Sequence, residues 1–290
     1  MEKKKLTPLQ IRKIHKRVRA VIQIIFFLIL PATFSSAFNG VKYIFTQIGS
    51  GSNVQLTSFV VDLLIVGIFT IIFGRFFCGF ACAFGSFGDA VHAAYVFICK
   101  KLKKKPIKLN EKLCKVLTYL KYLVLLTIII LCFLGYYTNL RGTSPWDVFS
   151  MLRSGNFMLA GYAIGIVLLV LIVAGMAVCE RFFCRFLCPM GAVFSLLASL
   201  PLTSITRKRE SCIKGCKACK MNCPASLDIA ERGSFDVNGD CFQCGRCVDF
   251  CPKKNIKTGG SPLRGSEVWF MIVRAVILAA VLLLGAYYIS

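Results

Sequence analysis

Arg75-Phe-Phe-Cys78-Gly-Phe-Ala-Cys82-Ala-Phe-Gly85 returns as Arg181-Phe-Phe-Cys184-Arg-Phe-Leu-Cys188-Pro-Met-Gly191. The offset is constant, and the coincident positions include two cysteines, too many for a chance match between apolar helices. Each copy closes the second of two long apolar runs, so the first four runs read as two related helical hairpins. The runs are Val21–Phe38, Phe59–Gly74, Val116–Tyr137 and Phe157–Val178, and a fifth, Val268–Ile289, ends the chain. A bilayer core needs roughly 20 helical residues. The second run is short but its flanks extend it, and Pro31 in the first is tolerable in a membrane helix as a kink. The expectation is an all-α polytopic membrane protein of about five transmembrane helices.

Composition agrees. Of 290 residues 57% are hydrophobic, and mean hydropathy is +0.70, too apolar for a soluble domain of this size. The net charge of +23 suggests a nucleic-acid binder until its distribution is examined. Eight Lys/Arg precede Val21, ten lie between Arg75 and Lys121, and fifteen follow from Arg181 onward. The two remaining loops hold only Lys42, Arg141 and Arg153. By the positive-inside rule the rich side is the cytoplasm, which puts the N-terminus inside and Ser290 outside. Membrane topology thus accounts for the charge, and nucleic acid is not an expected partner. Both helices that end in the repeat then run inward, so the repeat is parallel, with its pseudo-axis along the membrane normal. The N-terminal segment has the basic start of a secretory signal but no convincing small-residue cleavage site, so a retained helix is expected. The connector Lys100–Lys112 (KKLKKKPIKLNEK) reads as a topology determinant that also meets anionic lipid headgroups, with docking of an acidic redox partner as the alternative.

The expected organisation is a basic cytoplasmic tail (1–20), a first hairpin (21–99), a basic connector (100–115), a second hairpin (116–205), a cysteine-rich module (206–265) and a last helix (266–290). Eight of the 16 cysteines fall in that module, as Cys212-x3-Cys216-x2-Cys219-x3-Cys223-Pro224 and Cys241-x2-Cys244-x2-Cys247-x3-Cys251-Pro252. Such runs let three thiolates converge on one [4Fe–4S] cubane while the fourth reaches the other cluster. That pattern assigns Cys212, Cys216, Cys219 and Cys251 to one cluster, and Cys241, Cys244, Cys247 and Cys223 to a second. The prolines end each run, and Gly215 and Gly245 ease close approach of backbone to inorganic sulfur. Structural zinc favours two separated CxxC pairs, and disulfides are disfavoured where thiols stay reduced. The module is therefore expected to be a small α+β ferredoxin-like unit with two [4Fe–4S] clusters.

Cys78/Cys82 and Cys184/Cys188 are each spaced i, i+4, which on a helix puts both thiols of a pair on one face. Pseudo-symmetry then gathers four thiols into a redox or metal site at the membrane surface; packing by small apolar residues is the plain alternative. Cys99, Cys114, Cys132 and Cys179 lack such spacing and read as packing residues. His15 and His92 are the only histidines, too few and badly placed for a bis-histidine haem, and no CxxCH is present. No G-x-G-x-x-G opens a helix, so no nucleotide site is evident. Electrons would enter from another protein or from a lipid-soluble carrier such as a quinol. Asp62 is the one acid well inside an apolar run, a candidate for a proton or quinone role or simply an outer-interface residue. Glu180 is expected to pair with a neighbouring arginine, and Arg274 to snorkel inward from the last span.

The two CxxxC motifs, most specifically Cys184-Arg-Phe-Leu-Cys188-Pro-Met-Gly191, followed by two cluster runs, resemble the membrane ferredoxin proteins of the NapH type. Those are quinol dehydrogenase subunits associated with periplasmic nitrate reductase. Similar arrangements occur in the NosR-type nitrous-oxide reductase regulator and the CcoG-type copper-handling protein. The likeness runs roughly from Val21 to Lys257. Ala83 stands where the family's first motif places proline, a fifth helix stands where an extracytoplasmic domain would be, and no S/T-G-A-T sequence offers covalent flavin a site. The resemblance implies an electron relay between the quinone pool or a cytoplasmic donor and a membrane or extracytoplasmic redox partner, as in a quinol dehydrogenase subunit. The alternative is a thiol- and cluster-dependent protein that handles or reduces a copper-like metal. Clusters with a structural or regulatory role form a third reading.

Overall fold

The structure is a computed structural model and describes residues 7–107, 109–137, 142–157, 161–197, 204–231, 238–258 and 267–289. The first six residues of the tail, residues 158–160 of the fourth run and the boundary expected at 265/266 lie outside that set.

The tail is helical almost from its start. Thr7 and Gln10 form a reciprocal capping box, with Pro8 in the first turn, and open helix α1 (Pro8–Ile29). The expected continuous span Val21–Phe38 is not continuous. Helix α1 ends before Pro31, and α2 (Thr33–Gly49) leaves at an angle of 61°. The cause is local. Proline has no N–H to donate, its ring clashes with the preceding turn, and it pushes the residue before it out of helical geometry; Leu30 sits at φ −126°, ψ 50°.

Helix α3 (Ser58–Phe73) packs back along α2, so closely that a Cβ on Gly40 would stand 2.4 Å from the Phe59 carbonyl oxygen. After the first cysteine motif come α4 (Ala83–Lys101) and α5 (Glu111–Phe133), the latter capped by Asn110. Short α6 (Pro145–Arg153) precedes α7 (Ala163–Val178), and the second motif spans α8 (Phe182–Phe186) and α9 (Pro189–Leu196). Helix α12 (Glu267–Ile289) lies against α3 and α1.

Two of these helices, α5 and α12, are long and apolar enough to cross a membrane unaided, and the bent α1–α2 pair makes up to three. Helices α3 and α7 are apolar but only 16 residues each, about 24 Å of helix against a hydrocarbon core of about 30 Å. Their inner faces meet in one core rich in Phe, including Phe38, Phe76, Phe80, Phe84 and Phe183.

The module is α+β. Strand β1 (Ile205–Arg207) is central, parallel to β2 (Ala230–Glu231) and antiparallel to β3 (Ile256–Thr258), with register Thr206↔Ala230 and Thr206↔Lys257. Helices α10 (Ala218–Met221) and α11 (Arg246–Phe250) carry the third cysteine of each run, Cys219 and Cys247. Its buried core is four residues, Ile205, Cys219, Ile229 and Ile256.

Candidate functional site

The eight module cysteines divide into two cavities. One, of about 370 Å³, is lined by Cys212, Cys216, Cys219 and Cys251 with Ile213, Pro252 and Ile256. The other, of about 550 Å³, is lined by Cys223, Cys241, Cys244 and Cys247 with Ile205, Ile229 and Phe242. Each cavity draws its fourth cysteine from the opposite run, and both are walled by apolar side chains. All eight are free thiols. Soft sulfur donors in an apolar cradle suit iron–sulfur chemistry. Gly215 and Gly245 sit at φ +75° and +70°, a turn conformation that glycine adopts without strain. The Asn255 N–H donates to the Cys251 sulfur at 3.3 Å. Burial pushes the Cys241 thiol up to about 12 and raises Cys223 and Cys247, so metal capture there must release their protons.

The repeat thiols are placed differently from a regular helix face. Phe77–Ala81 is one wide π-helical turn, and Cys82 has already left helical geometry at ψ 116°. Cys188 does the same, at φ −70°, ψ 116°, and caps α9 by accepting the Gly191 N–H on its sulfur at 3.2 Å. Each pair is thus split across a helix break, with the second cysteine as the cap of the next helix. All four thiols are buried, and they lie within electrostatic reach of one another across the two copies.

What joins the copies is an exchange of arginines. Arg181 donates to the Cys78 carbonyl and, at 2.8 Å, to that of Gly79; Arg75 donates to the Cys184 carbonyl at 3.3 Å. Both are almost fully buried. The glycines that close the motifs leave room for this: a Cβ on Gly85 would stand 2.8 Å from the Arg181 guanidinium, and one on Gly191 3.0 Å from that of Arg75.

The carboxylates break the symmetry. Asp89 takes Arg181 at 2.7 Å. The repeat equivalent of Asp89 is Ser195, which accepts from Arg75 at 3.1 Å but carries no charge. Asp240 of the module fills that place, 2.9 Å from Arg75, bonded to Ser195 and paired with the fully buried Lys121. Burial alone would raise the Asp240 carboxyl, but Arg75 and Lys121 outweigh it and hold it below its ordinary value. Next in the chain, Phe242 lies between the arginines, 4.9 Å from Arg75 and 5.5 Å from Arg181. Its carbonyl faces Gly79 so closely that a Cβ there would be 2.4 Å away. The loop Cys241–Cys244 therefore sits on the repeat motifs, against Gly74, Gly79 and the two arginines.

The basic tail holds the same loop from the other side. Arg19 donates to the Cys244 carbonyl, Arg12 donates to the Asp249 carbonyl at 2.9 Å and covers the Phe250 ring, and buried His15 pairs with Asp249. Glu180 pairs with Arg246 of the module at 2.6 Å rather than with its chain neighbour Arg181. The expected snorkelling of Arg274 is not observed. The residue is 2% exposed and stacks on Phe270, Phe73 and Phe76, because a guanidinium gains more on aromatic faces than an ammonium would. His92 bonds the Ala177 carbonyl at 2.9 Å, away from the thiols. Asp62 accepts a bond from Ser36 beside the helix break, far along α3 from Cys78. Cys99, Cys132 and Cys179 are buried and Cys114 half-buried, and they belong to neither cysteine set. Among the described residues no three His, Cys, Asp or Glu side chains close on a point as a single metal ion requires.

Comparison with known proteins agrees with this layout. Residues 211–256 match the 4Fe-4S dicluster domain, and residues 56–106 and 162–208, one segment per repeat copy, match the 4Fe-4S binding domain. The ferredoxin-type protein NapH of Haemophilus influenzae is 26% identical over 67% of this chain and 65% of its own length. Protein NirI of Paracoccus denitrificans is 31% identical over 59% of this chain but only 24% of its own. The chain is similar to the NapH-type ferredoxin proteins. An uncharacterized protein of Methanocaldococcus jannaschii matches 81% of the chain and 92% of its own length at 26% identity. No solved structure matches. Its 4Fe-4S domains and its likeness to ferredoxin-type proteins make the chain an iron–sulfur protein of electron transport, with helices apolar enough for a membrane.

Proposed function

We propose that the chain relays electrons between the quinone pool or a cytoplasmic donor and a redox partner in or beyond the membrane. The single observation that carries this is the seating of the Cys241–Cys244 loop on the two repeat motifs, which joins a ferredoxin-like module to a membrane bundle. In this reading Cys212, Cys216, Cys219 and Cys251 hold one [4Fe–4S] cluster, and Cys241, Cys244, Cys247 and Cys223 a second. Each cluster stores one electron at a time, at a potential open to tuning over roughly −700 to +450 mV. The chain's own residues position the module (Asp240, Phe242, Arg246) and surround the second cavity with cations (Arg19, Arg75, Arg246 and Arg274).

Five crossings are proposed: the bent α1–α2 pair, α3, α5, α7 and α12, with the short ones completed by their flanks. Exposed apolar residues on α1, α5 and α12, such as Leu28, Leu123 and Leu284, would meet lipid. The N-terminus and module face the cytoplasm, and the C-terminus lies outside, as the Lys/Arg asymmetry requires.

Metal handling remains the second reading, because four buried soft thiols suit Cu(I). One experiment divides them. Anaerobically purified protein in detergent is examined by low-temperature EPR before and after a reduced menaquinol analogue, and in parallel with Cu(I). Reduced [4Fe–4S] signals on quinol addition support the relay. Clusters indifferent to quinol and to any protein donor, with stoichiometric thiol-bound copper, would sink it in favour of metal handling.

A further inference from the structure

We infer that the module docks a small acidic electron-carrier protein on the lysine-rich face beside Cys212 and Cys216, and exchanges electrons with it there. The inference rests on the electron-relay reading above and names where a cytoplasmic partner meets the chain.

The two cavities of the module differ in access. Cys223, Cys241, Cys244 and Cys247 are all partly buried, and the loop that carries two of them is seated on the bundle. In the other set Cys212 and Cys216 are exposed, and every residue that lines that cavity belongs to the module itself. Electron exchange between proteins falls steeply with distance, so a partner needs a redox centre close to a free surface. The Cys212 side offers one.

Charge selects the partner. The two stretches that frame this cavity, 208–217 and 253–257, carry seven Lys/Arg against one acid, Glu210. Five of the seven are exposed lysines: Lys208, Lys214, Lys217, Lys253 and Lys254. Among the described residues none of these five forms an ion pair, whereas Asp228 is taken up by Arg207 and Arg209. A field of one sign around a redox site draws in and orients a partner of the opposite sign.

The face also has an apolar centre. Ile213, 47% exposed, and exposed Pro252 both line the cavity, next in the chain to Cys212 and Cys251. An apolar patch within a charged surround is the common anatomy of a protein–protein contact. An anionic bilayer could use the same lysines, but it supplies no electron and gives no reason for exposed thiols beside them. The step balances simply. The carrier loses one electron and the cluster proposed at the Cys212 set gains it, with no bond made or broken and no proton moved.

The probe is an acidic flavodoxin, added to the anaerobically purified full chain in detergent. Titration calorimetry with the oxidised flavodoxin reads binding, and stopped-flow absorbance of its hydroquinone reads exchange. Both should weaken steeply between about 0.05 and about 0.5 M salt. Lys214→Glu/Lys217→Glu and Lys253→Glu/Lys254→Glu should each weaken binding by roughly tenfold or more. Lys104→Glu/Lys105→Glu in the basic connector changes the net charge equally and should cost less than about threefold. Iron content shows whether each variant keeps its clusters. Where a pair loses iron, flavodoxin with amidated surface carboxylates decides instead, and it should bind roughly tenfold more weakly or worse. Equal losses from the connector and module pairs would overturn the inference. So would module variants that lose adsorption to anionic phosphatidylglycerol vesicles but bind flavodoxin as before, because the lysines would then serve a lipid surface. Clusters that quinol reduces in a chain that binds no flavodoxin would overturn it and leave the relay standing. Clusters reduced by neither would sink both.

Discussion

Arg181 donates its side chain to the main-chain oxygen of Cys78, one motif copy reaching into the other. Arg75 returns the contact at Cys184, but the carboxylate that completes the first arrangement, Asp89, is missing from the second, where Ser195 stands. The module supplies it as Asp240. Docking of the module is therefore written into a symmetry defect of the membrane repeat. Ser195→Asp should restore the symmetry, occupy Arg75 from within the bundle and repel Asp240. The expected outcome is faster limited proteolysis of the module with the helical content unchanged. The double variant Ser195→Asp/Asp240→Ser should recover part of the protection.

Asp240 also sets one negative charge against two cations that water does not reach. Asp240→Asn leaves Arg75 and Lys121 buried with neutral acceptors, Ser195 and the Cys184 carbonyl, and without the carboxylate that opposes them. Removing one member of a buried pair costs about 3–5 kcal/mol. Thermal unfolding in detergent should show the midpoint falling by several degrees, and more than for Asp228→Asn, whose pairs with Arg207 and Arg209 are largely exposed.

The sequence makes some of this legible and hides the rest for physical reasons. The cluster runs dictate their own cavities, because close cysteine spacing constrains the chain locally, and the apolar runs mark the helices. The break at Pro31 is visible as a residue but not as a 61° turn, since packing of α2 on α3 decides the new direction. The i, i+4 reading of the CxxxC pairs assumes a regular helix, and the chain leaves the helix at Cys82 and Cys188. Extending the repeat by four residues would have aligned Asp89 with Ser195 and exposed the missing carboxylate. The roles of Arg19, His15 and Arg274 depend on contacts more than two hundred residues apart or on rings from two helices, and no local pattern announces them.

Cross-ligation is open to a direct count. Cys223→Ser and Cys241→Ser should each remove the same cluster, so the double variant loses no more iron than either alone. Cys223→Ser with Cys219→Ser spans both cavities and should lose both, about eight irons against four. Iron analysis and EPR read the difference; loss of both clusters in the Cys223/Cys241 pair would refute the assignment of ligands to cavities.

Orientation follows the charge and is checked by labelling. In intact cells, an impermeant thiol reagent should modify Ser52→Cys, in the loop between α2 and α3, and spare Lys105→Cys, in the basic connector. Reversal of that pattern would place the module outside the cytoplasm.

Arg19 tunes the second cavity. It is buried, and its guanidinium donates to the Cys244 carbonyl and brings a positive charge to the cluster's edge. A positive charge favours the reduced, more negative cluster, so Arg19→Gln should lower the potential of that cluster by an amount on the order of tens of millivolts. Cys212, Cys216, Cys219 and Cys251 line the other cavity, and the cluster proposed there should shift less. An EPR-monitored redox titration resolves the two. Equal shifts in both, or none in either, would show that Arg19 serves only to clamp α1 onto the module.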